Sequence, residues 1–175
     1  TYNTTSNIFD DDGISSGRSL LVDEGFKLIE NILGIDFEKT TNPNADIRFS
    51  DSHKGAYSYL NYSSGNIDYA NINISNSWNG NLNGFGNYTF QTILHEIGHA
   101  LGLGHQGNYN GLGSYLNDAY YTNDSWQSSI MSYFSQSDNT YTDASFAYLS
   151  SFSAVDLIAL EDLYGPQGFS SSHSS

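Results

Sequence analysis

The segment His95-Glu96-Ile97-Gly98-His99-Ala100-Leu101-Gly102-Leu103-Gly104-His105 gathers three of the chain's five histidines into one short stretch. Residues four apart on a helix share a face, so His95 and His99 can offer ring nitrogens to one ion. Glu96 adjoins a ligand on the same side of that helix and can hydrogen-bond a water held there. Gly102 falls where the helix must stop and the chain must turn, a place that calls for positive φ. The turn brings back His105 as a third ligand. Three protein ligands leave a fourth position open, which marks a catalytic rather than a structural zinc site. Five fixed positions of this kind arise by chance in such a chain with odds of about 1 in 20,000, counting all residue types as equally frequent. His53 and His173 are isolated and read as solvated or locally bonded.

The rest of the chain supplies a frame for that helix. Ser15 or Ser16 can cap a first helix whose apolar stripe is Val22, Phe26, Ile29 and Leu33, with Gly34 as its stop. Residues 35–37 and 45–49 read as short strands. Ala56 to Tyr62 alternates as a half-exposed strand does, and Ile67, Tyr69, Ile72 and Ile74 alternate with one slip of phase. Residues 76–87 are rich in Gly and Asn and read as a loop. The active-site helix runs from about Thr89 to Leu101, with Ile93, Ile97, Ala100 and Leu101 as its buried side. Residues 102–151 carry little periodicity, and so long a loop needs something to pin it. Ser153 and Asp156 form a capping box for a last helix containing Leu157, Leu160 and Tyr164, stopped at Gly165-Pro166. The tail 169–175 is expected to be disordered. No repeat or second domain is evident, so residues 1–175 read as a single domain of the α+β class.

Charge narrows the partners. Nineteen Asp and Glu stand against five Lys and Arg, a formal net of -14, and no Lys or Arg follows Lys54. Such a surface repels phosphate, which speaks against nucleic acid, and offers nothing to an anionic membrane. No apolar run approaches the roughly 20 residues of a membrane span. There is no cysteine, which fits bacterial export without disulfides. The chain begins at Thr1 and shows no signal peptide, so it reads as a processed or excised segment. The acidic run Asp10, Asp11, Asp12 is a candidate for Ca2+, although no clear motif supports it; a solvated acidic turn is the simpler reading.

The histidine motif resembles that of the metzincin clan of zinc peptidases, which also places a methionine-containing turn beneath the metal. The sole methionine, Met131, lies in Ser129-Ile130-Met131-Ser132-Tyr133-Phe134. A tyrosine two residues after it makes the chain look specifically like the serralysin family, over about residues 19–165. The resemblance implies a twisted, mostly parallel sheet with an antiparallel edge strand, an active-site helix, a C-terminal helix and a long irregular segment after the third ligand. It implies one catalytic Zn2+ on His95, His99 and His105, Met131 as a hydrophobic floor, and Tyr133 as a displaceable further ligand. Glu96 would be general base and acid, with Tyr133 sharing the oxyanion. The edge strand at Ala56, Tyr57, Ser58, Tyr59 and Leu60 would pair with an extended protein or peptide substrate. Asp156 either only caps its helix or also braces the methionine turn.

Two features depart from serralysins. Only 18 residues precede the first helix, so the first sheet strand is missing or formed by residues 1–9. No Gly- and Asp-rich calcium-binding repeats follow. A secreted, bacterial, monomeric zinc endopeptidase is the expectation; a catalytically silent zinc-containing binding module on the same fold is the alternative.

Overall fold

The structure, a computed structural model, describes residues 1–78 and 84–165. Four strands form one sheet in the order β1-β2-β4-β3: β1 (Tyr2–Asn3), β2 (Ile47–Ser50), β3 (Ala56–Ser63) and β4 (Asn66–Ile74). β1, β2 and β4 run parallel, and β3 lies antiparallel on β4 at the edge. The mostly parallel α+β sheet with an antiparallel edge strand is therefore what the chain builds. The first strand is present, and residues 2–3 make it.

Helix α1 (Ser16–Glu30) starts where Ser15 Oγ accepts the Arg18 N–H. Its regular part ends at Asn31, short of the expected stop at Gly34. Backbone bonds from Ile32 and Leu33 to the Ile29 carbonyl carry one more turn, so Leu33 still completes the apolar stripe. Residues 35–37 do not form the expected strand. Their apolar side chains pack beside α1 instead, with the Phe37 ring 4.5 Å from Phe26, and the Phe37 N–H donates to Glu30. The free edge of β1 is met a few residues later, where Tyr2 bridges Lys39 through bonds to the Glu38 carbonyl and from the Thr40 N–H.

The phase slip in β4 also has a cause. Asn61 pairs with Tyr69 but Tyr62 pairs with Ile67, so Asp68 is skipped by a bulge that turns Ile67 back toward the helices. A bulge inserts one residue and reverses the alternation beyond it. On the inner face, Ala70, Ile72 and Ile74 meet Phe26, Ile29, Phe90, Ile93, Leu94 and Ile97 in one core. Helix α2 (Tyr88–Ala100), capped by Asn87, crosses α1 at Gly25. A Cβ there would lie 3.2 Å from both Ile97 and Leu94, so glycine lets the two helices approach.

Beyond α2 the chain is irregular from Gly102 to Ser153 apart from the four-residue helix α3 (Tyr115–Asp118). Helix α4 (Ala154–Tyr164) closes the described part. Its Leu160 enters the core, and the Tyr164 hydroxyl donates to the Leu101 carbonyl at 2.9 Å, fastening α4 to the end of α2. Pro166 and the tail 169–175 lie outside the described residues, as do residues 79–83 of the expected loop.

The acidic run near the N-terminus is not uniformly solvated. Asp10 is buried, and its carboxylate accepts the N–H groups of Asp12, Asp51 and Ser52. It locks a turn against the end of β2, and those bonds hold its carboxyl below the usual range against the opposing effect of burial.

Candidate metal centre and cleft

Helix α2 brings His95 and His99 to one face, and the turn after it brings His105 to meet them. That turn is a local consequence of glycine. Gly102 has φ of +98°, with its N–H on the His99 carbonyl and the Leu103 N–H on the Gly98 carbonyl. A ligating nitrogen from each of the three histidines lies within 4.8 Å of the other two. Nε2 of His105 is 2.9 Å from Nε2 of His99 and 3.3 Å from Nε2 of His95. No other cluster of His, Cys, Asp or Glu with this geometry occurs among the described residues. His53 stays apart, beside Ser52.

The opposite ring nitrogens decide what such a cluster is for. Nδ1 of His95 faces the Ile130 carbonyl at 2.8 Å, Nδ1 of His99 the Leu103 carbonyl at 2.8 Å, and Nδ1 of His105 the Tyr109 carbonyl at 2.9 Å. A carbonyl oxygen only accepts, so each Nδ1 carries its proton and each Nε2 turns a lone pair inward. Three lone pairs converging at these distances repel one another unless a cation stands between them. Burial lowers all three imidazole pKa values, that of His95 to about 3 and that of His105 to about 4, so the rings stay neutral and ready to ligate. The donor set fits zinc: three imidazoles, each oriented by a bond from its other nitrogen.

Glu96 is buried beside this cluster. Burial pushes its carboxyl up to about 7, and its Oε2 has no protein partner. Such an orphaned acceptor at a cleft floor is suited to a water or a substrate proton. Ser58 of β3 donates to the Glu96 backbone carbonyl at 2.8 Å, which fixes the edge strand against the active-site helix.

Met131 lies under the helix. A Cβ at Gly98 would come within 2.6 Å of its sulfur, so the glycine between Ile97 and His99 is shaped to the methionine. Asp156 both starts α4 and braces that turn. Its carboxylate accepts from the Ser153 N–H at 2.8 Å, from the Ile130 N–H at 3.0 Å and from the Ser129 hydroxyl at 2.5 Å. Tyr133 packs its ring edge-on against His105 at 4.4 Å, and its hydroxyl accepts the Gly111 N–H at 3.2 Å.

A cleft of about 720 Å³ runs over the three histidines. Ala56, Tyr57, Ser58 and Leu60 of β3 border it, whereas Tyr59 does not line it and is exposed. Among the described residues β3 has a strand partner on one side only, so its other edge is free along the cleft. Trp78, Tyr88, Trp126 and Tyr133 add aromatic walls, and among the described residues Glu96 is the one carboxylate in the lining. Three residues that sequence reasoning passed over help to shape the site: Gly98, Tyr109 and the fully buried Asp124. Only Gly98 carried a local signal, as a glycine inside a helix.

Residues 44–156 match the family described as metallo-peptidase family M12B, reprolysin-like. The chain belongs to that family. It is also serralysin-like in sequence: it is 43% identical over 115 residues to Serralysin C of Dickeya chrysanthemi, covering 63% of this chain and 23% of that one. It is 39% identical over 120 residues to Metalloprotease AprA of Pseudomonas entomophila, covering 65% and 22%. With the serralysin of Proteus mirabilis it shares 33% identity over 147 residues, 81% of this chain and 28% of that one. The chain thus spans about a quarter of the length of the curated relatives it matches. Among solved structures it is similar to High choriolytic enzyme 1, a hatching enzyme zinc-protease from the medaka Oryzias latipes. The TM-score is 0.54 at 19% identity, over 93% of this chain and 88% of the other. At that identity the likeness bears on the fold, and the fold agrees.

Proposed function

We propose that this metallopeptidase domain, spanning the described chain as one catalytic unit, cleaves peptide bonds inside extended protein substrates, with His95, His99 and His105 holding a single zinc. The observation that carries the reading is the convergence of three inward lone pairs, each fixed by a bonded Nδ1, next to a buried carboxylate with a free oxygen. Zinc bound there supplies Lewis acidity, acidifying a water and polarising a carbonyl at neutral pH. Glu96 accepts the proton of the attacking water and returns it to the leaving amine. Burial makes this carboxylate a stronger base than an exposed one, which favours its taking that proton. Tyr133 leaves the Gly111 N–H and donates its hydroxyl to the oxyanion. The free edge of β3 takes the substrate as an added antiparallel strand, through Ala56, Ser58 and Leu60, which binds main chain without demanding a sequence. Neutral, aromatic walls and the absence of Lys, Arg or other acids in the lining favour apolar and aromatic side chains beside the scissile bond.

The acidic, cysteine-free composition and the relatives' serralysin identity support a secreted bacterial enzyme acting as a monomer. No helix among the described residues is long and apolar enough to cross a membrane. Zinc content and hydrolysis of a quenched fluorescent peptide library, wild type beside Glu96→Ala, test the reading. One zinc per chain in both, with cleavage about 10²- to 10⁴-fold slower in the variant, is expected. Zinc in both with no cleavage in either indicates a zinc-containing binding module instead. Tyr133→Phe should lower kcat by about 10²-fold with little change in KM, as loss of an oxyanion donor does.

A further inference from the structure

Two of the three proposed ligands are oriented by segments that end on a buried aspartate. His95 leans on the Ile130 carbonyl, and the Ile130 N–H ends on Asp156. His105 leans on the Tyr109 carbonyl, and the Tyr109 hydroxyl donates to Asp124 Oδ1 at 3.0 Å. Asp124 is fully buried, in a segment with no Lys or Arg. The same Oδ1 also accepts the Ser132 hydroxyl at 2.7 Å, and Ser132 sits between Met131 and Tyr133. Oδ2 has no protein partner.

We infer that Asp124 is a positioning residue for the metal centre: through Tyr109 and Ser132 it sets the third ligand and the methionine turn relative to each other. This rests on the reading of the three histidines as zinc ligands. The link is short and stiff. The Tyr109 ring stacks on His105 at 5.4 Å and packs on Tyr133 at 4.8 Å. Burial raises the Tyr109 phenol well above its usual range, so the hydroxyl remains a donor. Asp124 is itself held in place. Its N–H donates to the Tyr121 carbonyl, and the Asn139 amide ties Thr122 to Ser125 on either side of it. A buried carboxylate left one acceptor short costs stability. Its geometry suits a task that apolar packing cannot do, namely fixing two hydroxyls that belong to different parts of one metal site. Outer partners of ligands typically matter 10- to 100-fold in metal affinity.

The test measures zinc affinity by chelator competition, the visible spectrum of the cobalt(II)-substituted protein, and melting of the metal-free protein. Wild type, Asp124→Leu, which removes both acceptor oxygens, Tyr109→Phe and the double variant are compared. Each single variant should weaken zinc about 10- to 100-fold and alter the cobalt bands, and the double variant should be no weaker than the worse single one, because both break one link. Unchanged affinity and cobalt spectrum, even with a lower melting temperature, would overturn the proposal and leave Asp124 as packing only. Additive losses would overturn it as well. If Asp124→Leu does not fold, Tyr109→Phe decides alone, since it deletes a single hydroxyl and keeps the ring and the carbonyl. None of these readouts depends on cleavage, so failure of the peptidase reading shows separately, in the Glu96→Ala comparison.

Discussion

Before Gly102 the chain is built on one continuous apolar core; after it, apolar packing is sparser and hydrogen bonds among buried polar side chains take a larger share. The first region buries Val22, Phe26, Ile29, Phe49, Ile72, Phe90 and Leu94 in one continuous core. The second lends Leu103, Ile130, Met131 and Phe152 from its irregular part to that core, and has a small aromatic cluster of its own at Tyr109, Tyr115 and Phe134. What it buries besides is Asp124, Ser125, Ser129, Ser132, Ser135, Gln136 and Asn139, most of them bonded to backbone or to one another. Apolar packing is non-directional and tolerates small shifts, whereas bonded carboxylates and hydroxyls demand one geometry. The metal ligands straddle the seam: His95 and His99 come from the packed region and His105 from the bonded one. The packed region provides a rigid helix, and the bonded region adjusts the third ligand and the substrate wall against it.

If that division is right, damage to each region should read out differently. Phe26→Ala empties the centre of the packed region and should cost about 3–5 kcal/mol in stability by denaturant melts. Zinc affinity of the molecules still folded should not change. Asp156→Ala strikes the bonded region. It strands the Ser129 hydroxyl and the Ile130 and Ser153 N–H groups, and should cost about 2–4 kcal/mol. Here zinc affinity should fall too, because the Ile130 carbonyl that orients His95 is released. Equal metal affinity in both variants would erase the distinction.

The two regions were also unequally legible. Periodicity located α1, α2, β3, β4 and α4 because apolar packing writes itself as a repeat along the chain. It misread residues 35–37, whose alternation is met by packing beside α1, and the end of α1, where the turn from Asn31 to Leu33 is looser than the regular helix expected up to Gly34. The phase slip in β4 was visible as a pattern, but only the pairing with β3 shows it to be a bulge at Asp68. The motif His95 to His105, which spans the two regions, stood out by its spacing, and Met131 and Tyr133 of the bonded region by resemblance. Asp124 and Tyr109 did not, since a lone Asp or Tyr in a polar loop carries no period and its partners are distant in sequence. Asp156 was read as cap or brace, and one carboxylate does both because its two oxygens serve three donors.

The contact between Gly98 and Met131 is where the two regions touch beneath the metal. Gly98→Ala should cost about 1–3 kcal/mol by overpacking, although alanine is the better helix former. If the cost arises at that contact, Gly98→Ala combined with Met131→Ala should destabilise less than the sum of the singles, as neighbours sharing one space do. Strict additivity, measured by thermal or urea melts, would place the strain elsewhere.

The smallest predicted effect concerns protons, and it separates the ligands from their neighbour. Zinc displaces only those protons that the metal-free site still holds. Three ordinary imidazoles, with pKa about 6.5, would weaken zinc about a thousandfold at pH 5.5. Here burial has already lowered all three histidines, His95 to about 3 and His105 to about 4, so those two hold almost no protons in that range and His99 holds fewer than a free imidazole would. Glu96 is the reverse case: burial raises it to about 7, and a dication beside it drives the proton off. The sign follows: binding releases one proton below pH 7, so affinity falls as pH falls, by about tenfold per unit, or about 1.4 kcal/mol. Over pH 7.5 to 5.5, competition titrations should show zinc affinity falling about 25-fold for the wild type and much less for Glu96→Gln. A fall of about a thousandfold over that range, or one that is undiminished in Glu96→Gln, would mean that the histidines are ordinary in the metal-free protein and that burial does not keep them dry.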